Sequence, residues 1–176
     1  MKFVETPLRG AYVIEIEPIS DNRGFFARSW CEREFREHDL NPCLVQCNIS
    51  FNATKGTLRG MHYQIEPHEE VKLVRCTQGS IYDIIVDIRP DSPTFKKWFG
   101  VKLTAENHKM LYVPEKFAHG FQTLEDNTEV FYQMSNFYHP ECARGIRWND
   151  NLFSIEWPLK QKIISDRDLS YMLWEK

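Results

Sequence analysis

The sequence predicts an all-β protein, a sandwich or barrel of short antiparallel strands with a few short peripheral helices. Three observations carry this. Apolar and polar residues alternate with period two in segment after segment, the pattern that turns successive side chains to opposite faces of a sheet. The segments are short, closely spaced and divided by turn-forming residues. Helical periodicity is confined to two brief stretches.

The first strand signal is Tyr12-Val13-Ile14-Glu15-Ile16-Glu17, where Tyr12, Ile14 and Ile16 define one buried face. Ser29-Trp30-Cys31-Glu32 reads as a capping box that starts a short helix running to about His38, ahead of Pro42. In residues 44–51, Val45, Cys47, Ile49 and Phe51 form an apolar face. Gln46, Asn48 and Ser50 form a polar row that needs water or a polar cavity. Further strands are expected at Val71–Cys76, Ile81–Ile88, Phe99–Thr104, Met110–Val113 and Val130–Tyr138. Gln78-Gly79 and Arg89-Pro90-Asp91-Ser92-Pro93 supply turns between them. A second short helix begins near Ser165. No repeat, low-complexity stretch or linker interrupts the chain, so residues 1–176 are expected to form one domain.

Composition excludes several classes of function. A chain of 176 residues can enclose a sizeable single core. With 42% hydrophobic and 27% charged residues and only short apolar runs, no membrane span is expected. The start, Met1-Lys2-Phe3-Val4-Glu5, has no apolar run of the secretory type, and the expected location is the cytoplasm. Cysteines 31, 43, 47, 76 and 142 are odd in number and lack a Cys-x-x-Cys pair, which speaks against a disulfide framework and a zinc knuckle. A net charge of -3 offers no footprint for nucleic acid. Any phosphate recognition must therefore come from individually placed arginines.

Two stretches concentrate the chemistry. The first is Gly56-Thr-Leu-Arg59-Gly60-Met-His62-Tyr-Gln64, followed by Glu69, Glu70, Lys72 and Gly79; the second is Pro114-Glu-Lys-Phe-Ala-His119-Gly120-Phe121. Their layout resembles the two cupin motifs, which build a metal site inside a jelly roll. Here Gln64 stands where the motif has its second histidine, and Lys116 replaces a glycine. A carboxamide oxygen is a weak neutral donor, so the site is expected to be metal-free and to need no cofactor. A plainer reading makes His62 and His119 hydrogen-bonded core histidines.

A finer pattern runs from about residue 7 to 170: Asp21-Asn-Arg23-Gly24-Phe25-Phe26, Gln46-Cys-Asn48-Ile-Ser50, Leu58 to Gln64, Lys72-Leu73-Val74-Arg75, Val86 to Phe95, Ala118-His119-Gly120-Phe121, Tyr132, Tyr138, Trp148-Asn149-Asp150 and Ile155-Glu156-Trp157-Pro158. In joint order and spacing it resembles the dTDP-4-dehydrorhamnose 3,5-epimerase family. The resemblance implies a cupin-type jelly roll, a nucleoside-diphosphate 4-keto-6-deoxy sugar as substrate, and a homodimer with strands contributed across the interface.

Epimerisation beside a ketone requires a base, stabilisation of an enolate, and an acid on the opposite face. His62 fits the base, because imidazole takes a proton near neutral pH. The resemblance pairs it with Asp168, which would fix the tautomer; Ser165-Asp166-Arg167-Asp168 equally fits a capping box. Lys72, opposite in strand parity to Val71 and Leu73, fits the enolate cation, with a solvated lysine as the plain alternative. Tyr132, in parity with Val130, Met134 and Tyr138, fits the acid, or ordinary aromatic packing. Arg23 and Arg59 suit a diphosphate, since guanidinium forks bind phosphate bidentately. Gln46, Asn48 and His119 would hydrogen-bond sugar and nucleotide, and Tyr138 or Phe26 would stack on the base.

Three contact positions depart from the family pattern. Arg28 and Ala143 stand where acids are expected, and Arg167 where a lysine is expected. These bear on recognition of base and sugar rather than on reaction class. Two other readings compete: a metal cupin using His62, Gln64, Glu69 or Glu70 and His119, and a catalytically silent sugar-binding jelly roll. Fold alone does not separate them.

Overall fold

The computed structural model describes residues 1–161 and 163–174. In chain order the strands are β1 (Lys2–Glu5), β2 (Tyr12–Glu15), β3 (Ile19–Asp21), β4 (Gly24–Phe26), β5 (Gln46–Asn52), β6 (Leu58–Gln64) and β7 (Lys72–Gln78). They continue as β8 (Ser80–Asp87), β9 (Trp98–Thr104), β10 (Met110–Val113), β11 (Phe117–Thr123), β12 (Thr128–Met134) and β13 (Ala143–Gly145). Two short helices complete the chain, α1 (Glu32–Glu37) and α2 (Asp166–Ser170). All strand pairs are antiparallel. A six-stranded sheet, β1-β2-β10-β7-β12-β5, faces a five-stranded sheet, β13-β6-β11-β8-β9, while β3 and β4 form a separate hairpin. This is the expected all-β cupin-type jelly-roll sandwich with short peripheral helices.

Alternation decides which side chain fills which layer. Val74 and Cys76 of β7, Ile81 and Ile85 of β8, Leu103, Leu111, Phe121 and Val130 point between the sheets and form the inner core. Their neighbours in sequence point outward. Ile14, Leu73, Met110 and Tyr112 form a second cluster with Phe35 of α1. Ile84, Val86, Ala118 and Ile146 form a third with Phe153 and Trp157 of the C-terminal region. With both faces covered, β8 reads as a nearly continuous apolar run interrupted by Asp83 and Asp87.

One alternative left open is decided, and three local expectations are corrected. The apolar face of residues 45–51 points to solvent, with Ile49 65% and Phe51 53% exposed, while the polar row Gln46, Asn48 and Ser50 turns inward. Protein groups bond that row, Gln46 Nε2 donating to Asn48 Oδ1 and Gln46 Oε1 accepting from Tyr138 N, and β5 lies at a sheet edge where its outer face is exposed. The α1 cap is Cys31, not Ser29, and no side-chain cap bond forms; Glu32 pairs with Arg36 instead of reaching back. The strand beginning at Tyr12 ends at Glu15, before Ile16. The strand expected to reach Tyr138 ends at Met134. There the amides of buried Gln64 and half-buried Gln46 draw the chain away, Gln64 Nε2 donating to Phe137 O and Gln46 Oε1 accepting from Tyr138 N. The two motif stretches are themselves the adjacent strands β6 and β11.

Candidate active site

His62 and His119 are paired residues on β6 and β11, so their side chains share one face. The register shifts just beyond them, between His119 and Phe121. Glycine at both Gly60 and Gly120 permits this: a Cβ at Gly60, whose φ is +132°, would sit 2.6 Å from the Gly120 Cα. The close approach bends β6 so that the Gly60 N–H leaves the ladder and donates to Asp168 Oδ2 at 3.1 Å.

Asp168 reaches His62 because the C-terminal segment docks on β6, with Leu58 N donating to Ile163 O at 2.9 Å. Both sequence readings of Asp168 hold at once. Its backbone N–H donates to the Ser165 cap oxygen at 3.1 Å, and its carboxylate, instead of closing a capping box, meets His62 Nε2 at 2.7 Å. Burial pushes the Asp168 carboxyl upward, but the bonds and charge of His62, the Gly60 N–H and the Ser165 hydroxyl outweigh it, and the group is held below its ordinary value. A carboxylate only accepts, so Nε2 carries the proton and neutral His62 keeps its lone pair on Nδ1.

A cavity of about 420 Å³ opens between the sheets, lined by His62, Lys72, His119, Tyr132, Arg59 and Tyr138 among others. Lys72 is buried, and its Nζ lies 2.6 Å from Glu70 Oε1 and 3.5 Å from the His62 carbonyl oxygen. It is no solvated surface lysine; parity sends Val71 and Leu73 to the outer cluster and Lys72 inward. Tyr132 packs against the inner core, and burial raises its phenol while the Arg59 charge opposes the rise. His119 is bonded through Nε2 to the fully buried Asp83 at 2.7 Å, a second histidine–carboxylate pair.

Arg59 stands at the rim, its Nε donating to Asn52 Oδ1 at 2.7 Å. Arg167 NH1 donates to the Tyr138 hydroxyl at 3.3 Å, so these two close one side of the mouth. Gln46 and Asn48 lie one layer behind the lining: Gln46 holds Tyr138 N, and Asn48 Nδ2 meets the sulfur of Met134, a lining residue. Arg23, Phe26 and Arg28 are not brought to this cavity within the chain. Arg23 pairs with Asp21 in the β3–β4 hairpin, Phe26 is 74% exposed, and Arg28 bonds Glu34 at 2.8 Å.

Sequence reading passed over Asp83, Asn52 and Tyr171, and weighed Glu70 only as a metal ligand. Glu70 shares parity with Lys72, two residues on, and that spacing was a usable signal. Tyr171, whose ring lies against Gly145 and 5.9 Å from the His62 ring centroid, carried no sequence signal beyond its distance from Asp168.

The residues at the cupin metal position do not fit a metal. His62 and His119 bond carboxylates through Nε2 and would have only Nδ1 to offer, so the third donor decides. The Gln64 carboxamide is consumed by bonds to His68 O, Phe137 O and His139 N.

Residues 5–176 match the family described as dTDP-4-dehydrorhamnose 3,5-epimerase. The chain is 44% identical over 171 residues to a dTDP-4-dehydrorhamnose 3,5-epimerase of Shigella flexneri, covering 97% of this chain and 94% of that one. The crystal structure of a dTDP-4-dehydrorhamnose 3,5-epimerase from Elizabethkingia anophelis superposes with a TM-score of 0.96 at 40% identity, covering 99% of this chain and 96% of that chain. An epimerase from Legionella pneumophila, solved in complex with dTDP-4-keto-L-rhamnose, gives a TM-score of 0.91 at 36% identity, covering 98% and 92% of the two chains.

Proposed function

Because the chain belongs to the dTDP-4-dehydrorhamnose 3,5-epimerase family, we propose that His62, Lys72, Tyr132 and Asp168 invert the carbons flanking the ketone of a dTDP-4-keto-6-deoxyhexose. The protein is a sugar-nucleotide epimerase, an isomerase. The observation that carries the assignment is the His62–Asp168 pair, bonded through Nε2, on the wall of a cavity that also holds Lys72 and Tyr132.

His62 Nδ1 takes the proton from the carbon beside the ketone, and the charge formed on the ring is met by the Asp168 carboxylate. The electrons move onto the ketone oxygen. Lys72, with one proton on Glu70 and one directed at the His62 carbonyl, has a third to place against that oxygen. Tyr132 returns a proton from the other face; its raised phenol stays protonated at neutral pH and is ready as an acid. The enolate then collapses to the ketone with the centre inverted.

Arg59 grips the diphosphate, His119, Gln46 and Asn48 serve sugar and nucleotide, and Tyr138 with Arg167 closes over the base. Arg23, Phe26 and Arg28 act from a second subunit of a homodimer, a reading supported by the exposed β3–β4 hairpin and by the uncovered apolar face of β5. The cytoplasm, which keeps thiols reduced, suits the five free cysteines. No helix among the described residues is long and apolar enough to cross a membrane.

The test is incubation with dTDP-4-keto-6-deoxyglucose in deuterated water. Deuterium is expected at C3 and C5 of the inverted sugar. Tight binding of the nucleotide sugar with no exchange at either carbon would overturn the proposal.

A further inference from the structure

Beside the cavity two loops are clamped together by one buried side chain. Gln64 Nε2 donates to His68 O at 2.8 Å and to Phe137 O at 3.1 Å, and its Oε1 accepts the His139 N–H at 2.6 Å. The clamp lays the His68 ring flat on the His139 ring, centroids 3.4 Å apart and planes 16° from parallel. Glu141, two residues on, places Oε1 3.0 Å from His139 Nδ1. One nitrogen of each histidine and one carboxylate oxygen lie within 4.8 Å of one another. None of the three lines the cavity.

We propose that His68, His139 and Glu141 bind a divalent transition-metal ion of the zinc type, which cross-links the two loops outside the reacting centre. Two imidazoles and one carboxylate are a recurrent zinc donor set that leaves the fourth position to water. Hard cations such as magnesium or calcium prefer all-oxygen sites, so the donors select zinc, copper or nickel.

The electrostatics favour an ion. An imidazole offers a metal ion the in-plane lone pair of one ring nitrogen, and both rings present such a nitrogen to the shared space beside Glu141. Its own backbone N–H, the His139 bond, and the His139 and His68 charges hold the Glu141 carboxyl below its ordinary value, in the form that ligates. Zinc–nitrogen bonds of about 2.0–2.1 Å require the donors to close from their present spacing. The rings are half-buried and Glu141 is exposed, so side-chain rotation suffices, while Gln64 fixes the backbones. The arrangement does not depend on the epimerase assignment. Its consequence for that site is that the segment carrying Tyr138 is tethered when the ion is bound.

The experiment is titration of the intact protein with Zn²⁺ against a chromophoric chelator, with melting followed in parallel. One ion per chain and a raised melting midpoint are expected. His68→Ala and His139→Ala should each weaken binding at least tenfold. Glu141→Gln, an exposed change that leaves the fold alone, should also weaken it and decides the matter if a histidine variant fails to fold. Cys43→Ser/Cys47→Ser should bind as the parent does. Absence of binding below millimolar Zn²⁺, or undiminished binding in Glu141→Gln and in the histidine variants, would overturn the proposal.

Discussion

At His62 the chemistry turns on which ring nitrogen faces the substrate. Asp168 occupies Nε2, so only Nδ1 can accept the proton, and a base so placed typically contributes about 10²- to 10⁴-fold. His62→Ala should therefore abolish deuterium exchange at every carbon. Tyr132→Phe should not, because the base, Lys72 and the substrate grip remain. The enolate still forms and is reprotonated on its original face, so deuterium wash-in measured by mass spectrometry should exceed the inverted product measured by NMR. If Tyr132→Phe lowers both equally while His62→Ala still exchanges, the roles are misassigned. The sequence offered the residue types but left Asp168 between cap and dyad. One residue fills both positions because its N–H and its carboxylate point in different directions.

Among the elements, the end of β8 shows a motif of the sequence put to structural use. Asp87 is fully buried and accepts from Arg89 NH2 at 2.7 Å, from Ser92 Oγ at 2.5 Å and from Thr94 Oγ1 at 2.6 Å. It thereby folds the Pro90–Pro93 loop back onto the strand. Burial raises its carboxyl, but Arg89, Ser92 and Thr94 outweigh burial and hold it below the ordinary range. A folded-state value depressed in this way adds stability above the unfolded value and loses it as pH falls through the folded one. Asp87→Asn should cost about 1–3 kcal/mol at neutral pH, the range for leaving buried hydrogen-bonding groups poorly matched. In urea melts the gap from wild type should be complete above about pH 4, the unfolded aspartate value, and shrink below it. A gap that does not change with pH would mean the charge of Asp87 contributes nothing.

In the whole molecule, the outward row Ile49 and Phe51 and the hairpin residues Ile19, Phe25 and Phe26 leave apolar surface on one chain. The β5 edge is open to pairing. A twofold dimer that covers these surfaces would deliver Arg23 and Phe26 to the neighbouring cavity. Mixing an inactive His62→Ala chain with an Arg23→Ala/Phe26→Ala chain should then restore activity after subunit exchange, since one site of each hybrid holds both intact sets. No recovery, despite hybrids seen by native mass spectrometry, would place Arg23 and Phe26 in the site of their own chain.

Period-two alternation and turn residues made the all-β class and most central strands legible, because sheet burial writes itself locally into every second residue. Lys72 and Tyr132 were legible for the same reason, since parity tells which face a residue takes, while His62 and His119 were legible from the layout of their two motifs. Parity does not tell which face is inside. Residues 45–51 alternate as a buried strand should, yet their polar row turns inward and their apolar row meets solvent, and only the stacking of one sheet on another settles that. Long-range partners were equally hidden. Asp83 under His119 and Asn52 under Arg59 are 36 and 7 residues from the groups they hold, and these pairings exist only once β8, β11, β5 and β6 have been brought together.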